Sequence, residues 1–260
     1  MKVLNYGSLN VDYVYSVDHI IVGGETQHSS KLEVFSGGKG LNQSIALAKA
    51  GVPVYHAGIV GTDGDILDAC KEAGVNTKYI RRLPVKGGHT MIQVDKNAQN
   101  CIILYGGTNQ MQTKEFVDEV LADFGEGDYL ILQNEINMLD YIIDQAYEKK
   151  MKIVMNPSPF DDKLSTCDLS KVYLFLVNEI EGEQITGCKD KDQILDAMAA
   201  KFPNARFVLT LGSDGAVYYD GKEKVFQDIF KLKAVDTTAA GDTFTGYFIA
   251  AVIEGRSIQE

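Results

Sequence analysis

The chain has 260 residues, 45% hydrophobic and 23% charged. That is enough apolar material for one α/β core and too little charge for a disordered chain. The net charge of −11 opposes nucleic acids and anionic membranes as partners.

Residues 1–7 read as a short strand running into a glycine, with no signal-peptide pattern. Residues 11–17 and 31–35 alternate in polarity, as do 89–95 and 100–105. Lys96-Asn97-Ala98-Gln99 joins the last pair like a hairpin turn. These runs predict a small, mostly antiparallel sheet standing off the main domain, either a lid over a site or a dimer contact. Between them, residues 40–74 return to α/β, with a helix, a strand near 54–58 and a second helix.

From residue 128 onward, apolar runs at 128–132, 152–155, 172–177 and 206–210 alternate with helical segments such as 139–149 and 193–202. That alternation predicts βαβ units and a parallel sheet covered on both faces. The strands are followed by Gln133-Asn134-Glu135, Asn156-Pro157, Asn178-Glu179 and Leu211-Gly212-Ser213. Polar groups thus gather at the carboxyl ends of parallel strands, where open α/β sheets bind ligands. A last helix over 241–254 ends at Gly255, and Ser257-Ile258-Gln259-Glu260 has the form of a capping box that announces another helix beyond residue 260. No apolar run reaches the ~20 residues of a membrane helix. The four histidines lack zinc-site spacing. Cys70, Cys101, Cys167 and Cys188 form no C-x-x-C pair and read as reduced thiols of a cytoplasmic protein.

Three stretches carry possible chemistry. Gly37-Gly38-Lys39-Gly40-Leu41-Asn42-Gln43 precedes an amphipathic helix over 44–50. Its glycines allow close backbone approach and Lys39 offers a point charge. The spacing is neither a Walker A loop nor G-x-G-x-x-G, so a structural turn is as good a reading as a ligand loop. Asp236-Thr237-Thr238-Ala239-Ala240-Gly241-Asp242-Thr243-Phe244 places small residues at a helix start, leaving N–H groups open to phosphate oxygens. Asn178-Glu179-Ile180-Glu181 follows a buried strand. Taken alone its acids stabilise a helix dipole, but near a phosphate nest a carboxylate suits hydrated Mg²⁺.

Together these stretches resemble the ribokinase-like carbohydrate kinases of phosphofructokinase-B type. Gly37-Gly38-Lys39-Gly40-x-Asn42-Gln43 is similar to the family's N-terminal pattern, and residues 236–244 to its C-terminal pattern. Asn178-x-x-Glu181 and Thr210-Leu211-Gly212-Ser213-x-Gly215 are similar to its magnesium-phosphate motif and nucleotide strand. The resemblance implies a three-layer α/β/α fold with a mostly parallel central sheet and a small β-sheet lid. It implies one kinase domain over 1–260, with the lid from about 11–35 and 88–106, and further helices after residue 260. It implies phosphoryl transfer from ATP to a hydroxymethyl group of a small sugar, in the cytoplasm, with Mg²⁺ and K⁺.

The implied roles follow residue by residue. Asp242 is the general base, and Ala239, Ala240 and Gly241 donate N–H bonds to the transferring phosphoryl group. Asn178 and Glu181 order phosphates and hydrated Mg²⁺. Thr210, Gly212 and Gly215 line the nucleotide site. Asn10, Asp12, Gly38, Lys39, Asn42 and Glu135 bind the sugar. Asp236 and Thr238 form half of a potassium site. Within the family, Lys39, Gln43 and Asn10-x-Asp12 look closest to the ribokinases, which makes ribose the first substrate and ribose 5-phosphate the product. Fructose, a sugar phosphate or a nucleoside is the alternative acceptor. A catalytically silent sugar-binding regulator is the alternative of another class. A homodimer through the lid is expected because exposed sheet edges need cover.

Overall fold

Short runs that are apolar at every position become the central strands, because both of their faces are covered by helices. The computed structural model describes residues 1–230 and 238–259. In chain order the first elements are β1 (Val3–Tyr6), β2 (Asn10–Ser16), β3 (Lys31–Gly37), α1 (Lys39–Lys49), β4 (Val54–Val60), α2 (Ile66–Glu72) and β5 (Asn76–Arg82). Then come β6 (Gly88–Val94), β7 (Asn100–Tyr105), α3 (Lys114–Leu121), β8 (Tyr129–Gln133), α4 (Leu139–Glu148) and β9 (Lys152–Asn156). The rest are β10 (Leu174–Asn178), α5 (Glu179–Thr186), α6 (Lys191–Lys201), β11 (Arg206–Thr210), β12 (Ala216–Tyr219), β13 (Lys224–Gln227) and α7 (Ala240–Glu254).

The central sheet has the order β13-β12-β11-β10-β9-β8-β1-β4-β5. Every pair is parallel except β11–β12 and β12–β13. One face packs on α3 to α6 through Phe116, Ile142, Ile185 and Leu195. The other packs on α1, α2 and α7 through Leu47, Cys70 and Ile249. This is the three-layer arrangement the sequence implied. The chain runs from β1 toward β4 and β5 on one side, and later from β8 outward on the other. The carboxyl ends of β1 and β8 therefore flank a topological switch point, where a crevice opens.

The small sheet has the order β3-β2-β6-β7. The β2–β6 pair is parallel and the other two are antiparallel. Four connections tie it to the central layers: residues 7–9 from β1, Gly38 into α1, residues 83–87 from β5, and residues 106–113 toward α3.

Helix α1 starts earlier than residue 44. It begins at Lys39, so Asn42 and Gln43 are helical rather than part of a loop. The reason is docking: Leu41 N–H donates to the Ser8 carbonyl at 3.1 Å, Gly40 N–H to Ser8 Oγ at 3.2 Å, and Lys39 N–H to Glu135 at 3.0 Å. Those three donors would otherwise be orphans of a first turn. Gly38 enters the helix at φ +97°, a left-handed conformation that favours glycine.

Candidate functional site

Asp242 sits in the first turn of α7 and is buried. Three donors from α1 converge on its carboxylate. Asn42 Nδ2 donates to Oδ2 at 3.2 Å, Gln43 Nε2 donates to Oδ1 at 3.0 Å, and Lys39 Nζ lies 4.0 Å from Oδ1. Positions 39, 42 and 43 are the i, i+3, i+4 set of one helix face, so the stretch aims all three side chains together. Helix α7 opens with Ala239 at φ +56°, an uncommon conformation for a residue with a side chain. Ala240 and Gly241 follow it and are exposed.

A cavity of about 90 Å³ lies in front of Asp242, bounded also by Lys39, Asn178, Glu181, Thr210 and Gly241. A single water needs only about 10–15 Å³ of such space, so there is room for several waters or one small anion. Asn178 and Glu181 cap α5 reciprocally: Glu181 N–H donates to Asn178 Oδ1 at 2.9 Å, and Asn178 N–H to Glu181 Oε2 at 3.1 Å. This capping box goes beyond the dipole role the sequence suggests, and it fixes both side chains at the cavity wall.

The second cluster lies under the small sheet. Glu135 Oε2 accepts from the Ser8 hydroxyl and from Lys39 N–H. Burial pushes the Glu135 carboxyl above its ordinary value, and those two bonds oppose the shift. Asp12 Oδ1 accepts from the Thr90 hydroxyl at 2.6 Å. Burial also raises the Asp12 carboxyl, with the Thr90 bond pulling the other way. Asn10 is buried and its Oδ1 accepts from Asn109 Nδ2 at 2.7 Å. A side chain at Gly37 would strike the Asp12 carboxylate, so that glycine makes room for Asp12.

Behind Asp242 runs a buried polar chain. Gln43 Oε1 accepts from Gln133 Nε2 at 2.7 Å, and Gln133 Nε2 also donates to Asn5 Oδ1 at 3.0 Å. Asn5 Nδ2 donates to Ser44 Oγ at 2.9 Å, and Ser44 Oγ meets His56 Nδ1 at 2.8 Å. His56 is wholly buried, and burial pushes its pKa from 6.5 down to about 4. The folded state therefore favours neutral imidazole. The stabilisation is present above pH 6.5 and is lost as pH falls toward 4. From pH 7.5 to pH 5 this one group removes about 2 kcal/mol of stability. Imidazole NMR is expected to find His56 still neutral at pH 5; protonation near pH 6.5 would contradict it.

The structure thus brings together Asp242, Lys39, Asn42, Gly241, Asn178, Glu181 and Thr210 at one cavity. Asn10, Asp12, Gly38 and Glu135 form the adjoining cluster, with Gly38 packed against Ser8 and the Asn10 N–H. Gly212 and Gly215 do not line the cavity. Gly215, at φ +104°, closes the β11–β12 turn, where a side chain would strike the Gln227 carbonyl at the end of β13. Thr238 is exposed. Asp236 and Glu260 lie outside the described residues. Sequence reasoning assigned no role to Ser8, Thr90, Asn109, Gln133 or Asn156. For Gln133 and Asn156 a signal existed: both end parallel strands.

A family model described as pfkB family carbohydrate kinase matches residues 1–260. The chain belongs to this family. The pfkB-family chain is 32% identical to a ribokinase of Haemophilus influenzae, covering 98% of itself and 86% of that protein. It matches a crystal structure of ribokinase from Cryptococcus neoformans in complex with ADP at a TM-score of 0.84 and 30% identity, covering 99% and 89% of the two chains. It matches a structure of Arabidopsis thaliana ribokinase complexed with ribose and ATP at a TM-score of 0.84 and 26% identity, covering 99% and 88%. Among the described residues of this carbohydrate kinase, no helix is long and apolar enough to cross a membrane.

Proposed function

We propose that this carbohydrate kinase transfers the γ-phosphoryl group of ATP to the 5-hydroxymethyl group of ribose in the cytoplasm. The observation that carries the reading is the buried Asp242 carboxylate, held by Lys39, Asn42 and Gln43 at the mouth of a small-residue helix start. A carboxylate offers about four acceptor sites, and two are engaged by hydrogen bonds, from Asn42 and Gln43, while the Lys39 charge stands 4.0 Å away. Acceptor capacity is left for a substrate hydroxyl, whose proton Asp242 takes as the oxygen attacks phosphorus. Phosphoryl transfer is mostly positioning and charge stabilisation, so N–H groups of residues 239–241 and one base are a sufficient protein contribution. Relatives named ribokinase, one seen with ribose and ATP and one with ADP, favour this acceptor and donor.

Asn10, Asp12, Gly38, Lys39, Asn42 and Glu135 are the sugar-binding set in this reading. Asp12 and Glu135 are partly desolvated carboxylates with acceptor capacity left over, and sugar hydroxyls supply the missing donors. Thr210 belongs to the nucleotide side, with Gly212 and Gly215 shaping the turn beyond it. The donor set fits magnesium only in one form. Among the described residues no cluster of three metal-ligating side chains exists, while Glu181 and Asn178 face the cavity. That suits an ion held chiefly by phosphates and water, which when bound would neutralise phosphate charge. Potassium, through Asp236 and Thr238, belongs to the same reading.

A homodimer through the small sheet completes it. Asp12, Thr90, Phe35 and Leu104 are cross-strand partners and share one face, on which Phe35 and Leu104 are exposed; Ile102, on the next row, is exposed too. A second copy would cover that apolar row. Light scattering is expected to give twice 28.6 kDa, and Ile102→Lys with Leu104→Lys to give the monomer. A wild-type monomer at micromolar concentration would remove the dimer.

The test of function is ADP release with ribose, fructose, fructose 6-phosphate and adenosine in parallel, with Mg²⁺, and with and without K⁺. Turnover on ribose alone, raised by K⁺, is the expected result. Turnover on another acceptor only would overturn the ribose assignment. Sugar binding without turnover on any would favour a silent regulator.

A further inference from the structure

The polar chain behind Asp242 has a direction. A carboxylate only accepts, so Gln43 must present its NH₂ to Asp242 and to Asn156 Oδ1, 3.1 Å away. Its Oε1 then faces Gln133, which must donate. At the far end, the Gly7 carbonyl also only accepts, and it lies 3.3 Å from His56 Nε2. His56 must therefore carry its proton on Nε2 and accept at Nδ1 from the Ser44 hydroxyl. Ser44 Oγ accepts from Asn5 Nδ2, so Asn5 turns its Oδ1 to Gln133. Both ends of the chain are acceptors, and a chain with two accepting ends needs a double donor inside it.

Gln133 Nε2 is that donor, giving one hydrogen toward Gln43 and one toward Asn5. Its own Oε1 is buried without a hydrogen-bond partner. An unpaired buried oxygen is unfavourable, and a single reversed amide would leave donors facing donors instead. The oxygen also needs space: a side chain at Gly7 would come within 2.2 Å of it. Asn5, Gln43, Ser44, His56 and Gln133 are all wholly buried, so water does not substitute for any link.

We propose that Gln133 is a positioning residue: it sets the orientation of the Gln43 amide and, through it, of the Asp242 carboxylate. This rests on the kinase reading, in which Asp242 receives the sugar's proton. The two arms make separable predictions. Gln133→Met removes both donated hydrogens and adds no charge. Gln133→Glu turns the donor into an acceptor, which favours a flipped Gln43 that faces its oxygen to Asp242. Ser44→Ala cuts only the His56 arm and leaves the Gln133–Gln43 bond in place.

Turnover number, sugar KM and melting temperature are measured for the wild type and the three variants, with ribose as acceptor. Displacing a reacting group by a fraction of an ångström lowers kcat by roughly tenfold for Gln133→Met and about a hundredfold for Gln133→Glu, with KM within about twofold. Ser44→Ala is expected to lower the melting temperature while kcat stays within about twofold. Equal kcat losses in Ser44→Ala and Gln133→Met would overturn the proposal, leaving a merely structural role. So would normal kcat in Gln133→Glu. Side-chain amide NMR reads the same node without activity: Gln133→Met shifts the Gln43 Nε2 signal and Ser44→Ala does not. An inactive wild type would count against the kinase reading alone, and an unmoved Gln43 signal in Gln133→Met would still refute the node.

Discussion

Replacing Asp242 by asparagine is expected to lower kcat by about two orders of magnitude or more, the scale of losing a general base. The substitution is nearly isosteric, so the fold and the sugar-binding cluster at Asn10, Asp12 and Glu135 stay in place. The change is electronic. Asn42 Nδ2 and Gln43 Nε2 point hydrogens at the two Asp242 oxygens, and the Lys39 ammonium lies 4.0 Å from Oδ1. An asparagine can accept at one oxygen only, so its NH₂ faces at least one of those donors. The amide cannot take a proton from the sugar hydroxyl, and the Lys39 charge loses its partner. Sugar affinity by calorimetry is expected to change little while turnover collapses. That pattern marks an interaction used in the transition state rather than in ground-state binding. Near-normal turnover would remove Asp242 from the role of base.

The strands of the second half were legible because their apolar runs are continuous. Residues 206–210 become β11 end to end, and Phe207, Val208 and Leu209 are buried. The motif at 236–244 was legible for a related reason: small residues beside an acid at a helix start have few structural uses. Other elements gave weaker signals. Strand β5 reads Asn-Thr-Lys-Tyr-Ile-Arg-Arg, buries only Tyr79 and lies at a sheet edge, so neither alternation nor an apolar run marks it. The β12–β13 hairpin forms the opposite edge and is partly exposed throughout. The early start of α1 was masked by Gly40, whose low helix propensity is overridden by docking onto Ser8. The amide chain was not legible at all. It depends on which oxygen meets which nitrogen between residues as far apart as Asn5 and Gln133, and sequence spacing carries no such information.

Gly40→Ala separates local propensity from tertiary fit. Alanine inside a helix is better than glycine by roughly 0.5–1 kcal/mol, so propensity alone predicts a stabilised protein. A Cβ at position 40, however, would lie 2.5 Å from the Ser8 nitrogen and 2.6 Å from the Gly7 carbonyl carbon. Both are backbone atoms and neither can swing aside. Ordinary contact begins near 3.4 Å, so α1 must retreat from β1 by the better part of an ångström. Overpacking of this kind costs about 1–3 kcal/mol, which exceeds the propensity gain. The functional loss is larger than the stability loss, because α1 carries Lys39, Asn42 and Gln43, and all three converge on Asp242. A misplacement of about 1 Å lowers kcat/KM by on the order of a hundredfold. Urea denaturation with steady-state kinetics is expected to show both changes. A Gly40→Ala protein that is more stable and fully active would mean that α1 can pivot without moving its polar face. The close approach of Gly40 to Ser8 would then have no part in holding the base.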